Sequence, residues 1–106
     1  MYSQMNTEKY CELKYFLSCW FNQDFYRDYG SPENAIADFV SSEDNSKLGE
    51  IATEIEQLIS EKDELELRGY LIELGSYYAP WLNEPSFSSS KWLKEISNTI
   101  YAKIYI

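Results

Sequence analysis

An all-α fold, a compact single-domain bundle of about five helices over residues 1–106, is what this sequence predicts, and three observations lead there. Apolar residues recur at three-and-four spacing in segment after segment, the mark of helices with one buried face. Helix-start residues stand at the head of those segments: Ser31-Pro32, Asp63 and Ser88. The composition, 44% apolar with 17% aromatic over 106 residues, suits one modest core rather than a disordered tail.

The first helix is expected over residues 7–22, with Asn6 or Thr7 as its cap. Its broad apolar face is Tyr10, Leu13, Phe16, Leu17, Trp20 and Phe21. A turn ending at Gly30 follows. Ser31 then caps a second helix, with Pro32 at the first position, where a missing N–H costs nothing, and Ala35, Ile36, Phe39 and Val40 inward. After a polar connection at residues 41–46, a third helix over 47–62 carries Leu48, Ile51, Ile55, Leu58 and Ile59 on one side. Asp63 caps a fourth, whose Leu67, Tyr70, Leu71 and Leu74 face inward, and Gly75 stands where a left-handed helix end belongs. Residues 76–87, with Pro80 and Pro85, read as a loop. Ser88 opens a last helix with Trp92, Leu93, Ile96 and Ile100. Ile104 extends that periodicity, so residues 100–106 are expected to continue the helix, although their β-branched and aromatic composition would also suit a strand.

The absence of a long apolar run argues against a membrane helix, and MYSQMNTEKY has no signal-peptide character. A cytoplasmic address is the expectation. Cys11 and Cys19, eight residues apart on one helix, are separated by about 12 Å of rise and cannot bridge each other. Both read as small buried thiols. Net charge is −9, and residues 22–66 hold thirteen acids against three bases. Such a field repels nucleic acid and attracts a basic protein. A solvated acidic face that aids solubility is the bland alternative.

Catalytic chemistry finds little to work with. The sequence has no histidine, the commonest general base near neutral pH, no glycine-rich phosphate loop and no serine in a nucleophile-elbow context. Glu50 and Glu54, one turn apart, could share a cation but more often lie on a solvated face. No catalytic residue, cofactor site or metal site is expected. Ten tyrosines suit a binder instead, since Tyr and Trp dominate binding hot spots.

Several segments, taken in order, resemble one known family. They are Trp20-Phe21-x-Gln23-Asp24, Tyr29-Gly30-Ser31, Pro32-Glu33-x-Ala35-Ile36-x-x-Phe39, Leu74-Gly75-x-Tyr77-Tyr78-x-Pro80 and Trp92-Leu93. Their arrangement over residues 10–103 resembles the immunity proteins of bacterial contact-dependent growth inhibition systems. One departure is Asn22, where a histidine would be expected before the Gln-Asp step. The resemblance implies an intracellular protein, a monomer or weak dimer when free, that binds the C-terminal toxin domain of a large contact-delivered effector. Binding would neutralise that domain, a basic nuclease in this expectation, by covering its active cleft or by sitting beside it. The competing reading is an acidic regulatory or adaptor protein that sequesters another cytosolic protein or mimics nucleic acid.

Partner contacts are expected from Tyr26, Asp28, Tyr29, Asp38, Glu43, Asp44, Tyr77, Tyr78 and Trp81, the acids drawn from the acidic segment and the aromatics from turn and loop. Glu84 and Glu95, outside that segment, are expected to matter less. Trp20, Gln23, Asp24, Gly30, Pro32, Gly75 and Trp92 read as scaffold, with Asp24 accepting hydrogen bonds from backbone groups of residues 25–30.

Overall fold

The computed structural model describes residues 7–105. The chain starts with a 3-10 turn, Thr7–Tyr10, and continues as α1 (Cys11–Trp20). Then come α2 (Phe25–Tyr29), α3 (Pro32–Ser42), α4 (Asn45–Glu61) and α5 (Glu64–Glu73). A second 3-10 turn, Pro80–Leu82, precedes α6 (Ser89–Ile104). The fold is all-α, as expected, and the ambiguous C-terminal run is helix through Ile104. Ile106 and Asn6 lie outside the described residues.

Short polar side chains fix where the helices begin. Ser31 Oγ accepts from Asn34 N at 3.1 Å ahead of Pro32, and Asp44 Oδ1 accepts from Lys47 N at 2.8 Å. Asp63 and Glu66 form a reciprocal capping box, and Ser88 Oγ accepts from Lys91 N at 3.1 Å. The start of α1 differs from expectation. Tyr10 precedes it without a side-chain cap, and the first turn winds as 3-10. The segment read as a plain turn before Gly30 contains α2, which Gly30 closes at φ +83°.

α4 and α6 pack along each other, α1 lies across α4, α2 sits on α3, and α5 closes on α6. Leu48, Ile51, Ile55 and Leu58 of α4 meet Leu93, Ile96 and Ile100 of α6 in one continuous apolar cluster. Phe16, Phe21 and Trp20 of the α1 end extend it toward Phe39, with ring centroids 4.2 Å apart for Phe16 and Phe39. The two cysteines correct the expectation of buried thiols: Cys11 and Cys19 are free and exposed. At about 100° per residue Cys11 falls opposite the buried stripe of Leu13, Phe16, Leu17 and Trp20, and Cys19 lies on its flank.

The end of α5 sets up the region of interest. Gly75, at φ +106°, donates to Ile72 O at 3.0 Å while Ser76 N donates to Leu71 O at 3.0 Å. That pair of bonds is the Schellman pattern, and it turns the chain back toward α1. A Cβ on Gly75 would stand 2.7 Å from Ser18 Oγ, so a side chain here would be strained by the positive φ and would also push the Ser18 hydroxyl aside.

Candidate partner-binding face

Beyond Gly75 the loop is held in one shape by several independent ties. Tyr77 N donates to Phe21 O at 2.8 Å, and Ser76 Oγ bonds Tyr78 through both its O (2.9 Å) and its N (3.2 Å). Arg68 of α5 reaches over to Pro85 O at 2.9 Å and Phe87 O at 3.1 Å, while pairing with Glu64 at 2.8 Å. Glu64 in turn accepts from Ser89 N, at the start of α6.

These ties sort the loop aromatics. Tyr78 turns inward, its ring 5.0 Å from Trp92 and 5.7 Å from Phe21. Its neighbour Tyr77 is 65% exposed. The 3-10 turn buries Trp81 to 8% exposure, beneath the Arg68 guanidinium at 5.9 Å, and sends Leu82 out at 73%. Tyr26 of α2 lies against Phe25, ring centroids 4.2 Å apart and tilted by 38°, and remains 59% exposed.

Around these residues run three adjoining depressions of about 420, 480 and 350 Å³. The first lies between Tyr26, Tyr77, Leu82 and Glu84. Glu84 passes it on to the second, and Trp92 with Glu95 passes that on to the third, which ends at Glu33 and Ile36. Glu33, Glu84 and Glu95 are exposed, and their carboxylates take part in no hydrogen bond or ion pair among the described residues. The field is felt at Tyr78, whose hydroxyl is pushed up by burial first and then by Tyr26, Glu33 and Glu84. Lys91 is the base that lines this groove.

The expected contact residues therefore part company. Tyr26, Tyr77 and Tyr78 come together here, whereas Trp81 lies under the loop as an anchor, since its large ring fills the space between Phe87 and Arg68. Tyr29 is half-buried, its hydroxyl pushed up by burial and by Asp38. Asp38 accepts from Trp20 Nε1 at 2.9 Å, Glu43 accepts from the Tyr15 hydroxyl, and Asp44 caps α4. Asp28 pairs with Arg27 at 3.4 Å.

Among the scaffold residues, Trp20 and Trp92 are buried, Pro32 opens α3, and Gly30 and Gly75 hold positive φ. Gln23 is exposed. Asp24 departs from expectation: its carboxylate caps nothing and pairs with Arg27 at 3.3 Å instead. Asn22 performs the local tie, its Oδ1 accepting from Asp24 N at 2.9 Å. Glu54 also departs from the solvated-face reading. It accepts from Leu13 N at 2.8 Å, and burial holds its carboxyl above the usual range. No group of acids, cysteines or histidines among the described residues is arranged to hold a metal, and no described helix is long and apolar enough to cross a membrane.

Sequence reasoning missed Leu82, Glu33, Glu84 and Glu95. The signal available for the first was an aliphatic residue between a tryptophan and a polar Asn-Glu-Pro step. Glu84 and Glu95 were hidden because the charge count favoured the central segment, and Glu33 because it was one of thirteen acids within it.

The sequence matches the model of the CdiI immunity protein family over residues 9–100. The chain belongs to the CdiI immunity protein family. In structure it is similar to a chain of the crystal structure of the CdiA-CT/CdiI complex from Y. kristensenii 33638. The two share 33% identity at a TM-score of 0.78, over 87% of this chain and 98% of that one. The comparison with curated proteins gives no match. The matched residues 9–100 include the scaffold residues from Trp20 to Trp92.

Proposed function

We propose that this chain is an intracellular immunity protein that binds the C-terminal toxin domain of a contact-delivered effector and neutralises it without chemistry of its own. The observation that carries this reading is the likeness, at 33% identity and across 98% of its partner in the comparison, to a chain from a CdiA-CT/CdiI complex. The toxin is a basic nuclease domain in this reading, and the immunity protein lies over its substrate cleft.

Charge supports the pairing. A chain of net charge −9 is drawn to a positive, phosphate-binding cleft and repelled by nucleic acid itself. Opposite fields speed the encounter, while buried aromatic contacts slow release, so tight inhibition needs both. Covering the cleft then excludes substrate by simple occupancy.

Co-expression with the cognate toxin domain tests the first half. Cells carrying both are expected to grow and cells carrying the toxin domain alone to stop; no rescue overturns the reading. For the second half, a labelled non-cleavable oligonucleotide bound to the toxin domain should be displaced by a stoichiometric amount of this protein. Retained oligonucleotide with growth still protected would place the immunity protein beside the cleft.

A further inference from the structure

Resting on that reading, we infer that the toxin domain docks in the groove running from Tyr26, Tyr77 and Leu82 past Glu84 and Trp92 to Glu95 and Glu33. What enters the groove is a protruding segment of the toxin domain bearing lysine or arginine.

Three features of this surface converge on that occupant. Its rim carries Tyr26, Tyr77 and Leu82, each more than half exposed, and exposed apolar side chains clustered beside a groove are the mark of an interaction site. Its floor is aromatic: half-buried Tyr78 and the edge of Trp92, packed 5.0 Å from each other, line it and give apolar surface along which the stem of an arginine or lysine can lie. Its walls hold Glu33, Glu84 and Glu95, which have no cation of their own among the described residues, against the single base Lys91. A long, basic side chain satisfies all three at once. A purely apolar partner leaves the carboxylates unpaired, and an acidic one is repelled by them.

Competing surfaces fit less well. The acids of the central segment at Asp38, Glu43, Asp44, Glu56, Glu61 and Glu64 already bind a tyrosine, tryptophan, lysine, arginine or backbone group. A separate depression of about 580 Å³ between α4 and the end of α6 has one strongly exposed aromatic, Tyr105, and one unpaired acid, Glu50. The carboxylate beside it, Glu54, is bonded to Leu13 N. The groove is also pre-shaped. Arg68, Ser76 and Tyr77 N fix the loop, so little ordering entropy is lost on binding.

The experiment measures affinity for the catalytically inactivated cognate toxin domain by calorimetry, and the association rate by stopped flow at stepped salt. Two groove variants, Tyr77→Ala/Leu82→Ala and Glu84→Lys/Glu95→Lys, are compared with Glu50→Lys/Tyr105→Ala at the other depression. Thermal melts check each variant, and all six positions are exposed. The apolar pair is expected to raise Kd by roughly 30-fold or more, as truncation of a hot spot does. The charge reversal should raise Kd chiefly through a slower, less salt-dependent association rate. The α4–α6 variant should bind as wild type. Wild-type affinity in both groove variants, or a larger loss at Glu50/Tyr105, overturns the assignment while leaving the immunity reading intact. No binding by the wild-type protein overturns both.

Discussion

The carboxylates of α4 and those of the groove are the same chemical group put to opposite uses. On α4, Glu54 accepts from Leu13 N, Glu56 from the Tyr101 hydroxyl and Lys94, and Glu61 from the Tyr10 hydroxyl and Lys9. Each draws a neighbouring element onto α4: the start of α1, the far end of α6, the first turn. Around the groove, the carboxylates of Glu33, Glu84 and Glu95 have no hydrogen-bond or ion-pair partner among the described residues, and the three residues are exposed. A carboxylate with an internal partner contributes to shape, and one paired with a lysine, as Glu56 and Glu61 are, is largely neutralised at a distance. One without a partner keeps its field for something that arrives. Counting acids along a sequence cannot separate the two, because the partners come from other helices.

If α4 is scaffold and the groove is surface, large-to-small changes should divide the same way. Leu58→Ala on α4 and Ile96→Ala on α6 are expected to cost about 2–5 kcal/mol in urea unfolding, since both side chains are enclosed in the core. Leu82→Ala removes the same kind of side chain from the rim and should stay within about 0.5 kcal/mol of wild type. A Leu82 cost comparable to that of Leu58 would show that the rim is part of the core and erase the distinction.

A sharper contrast sits between two aspartates that look alike in sequence. Asp38→Ala leaves the part-buried Trp20 indole N–H without its side-chain acceptor, at about 1 kcal/mol. Asp38→Asn, which keeps an acceptor, should recover most of that. Asp24→Ala breaks an exposed pair with Arg27 and should cost no more than about 0.5 kcal/mol. Equal melting temperatures for the two alanine variants would mean that Asp38 is as dispensable as Asp24.

The reasons for this division show how far the sequence could be read. Helix positions followed from periodicity and caps: Ser31, Asp63 and Ser88 each cap as the local pattern demands, because capping involves groups only three residues apart. The left-handed ends at Gly30 and Gly75 are equally local. The exposed Cys11 and Cys19 were misread because residue type was given more weight than angular position on α1. The groove was the hardest part. Tyr26 and Tyr77 stood out as aromatics in turn and loop, but they meet only because Tyr77 N bonds Phe21 O. Trp81 and Tyr77 sit four residues apart in one loop, yet the Pro80–Leu82 turn buries the first. Such alternation depends on a turn type that the residues around Pro80 permit but do not dictate. Glu84 and Glu95 fall together because Ser88 starts α6 between them, a long-range outcome of a local cap.

The smallest expected effect concerns pH and tests the engaged carboxylates alone. Glu64 is held below the usual carboxylate range: burial raises it, but bonds from Ser89 and Arg68 outweigh burial. Glu56 and Glu61 are lowered by hydrogen bonds from Tyr101 and Tyr10, with Lys94 and Lys9 adding to them. A lowered carboxyl contributes stability that is present above its unfolded value and lost as pH falls through the folded one, so these three favour neutral over acid conditions. Glu54 has the reverse sign. Burial raises it, with the Glu12 and Glu50 charges adding to that, against the N–H groups of Leu13 and Glu12. Its contribution is intact below the ordinary glutamate range and is lost as pH rises through its elevated folded value. Glu54→Gln keeps an acceptor for Leu13 N and removes that titration. The stability of the variant relative to wild type should therefore climb with pH from the ordinary glutamate range upward and level off once Glu54 is ionised in both states. A flat difference across that range, measured by urea unfolding at stepped pH, would mean that Glu54 is as well solvated as the free carboxylates of the groove.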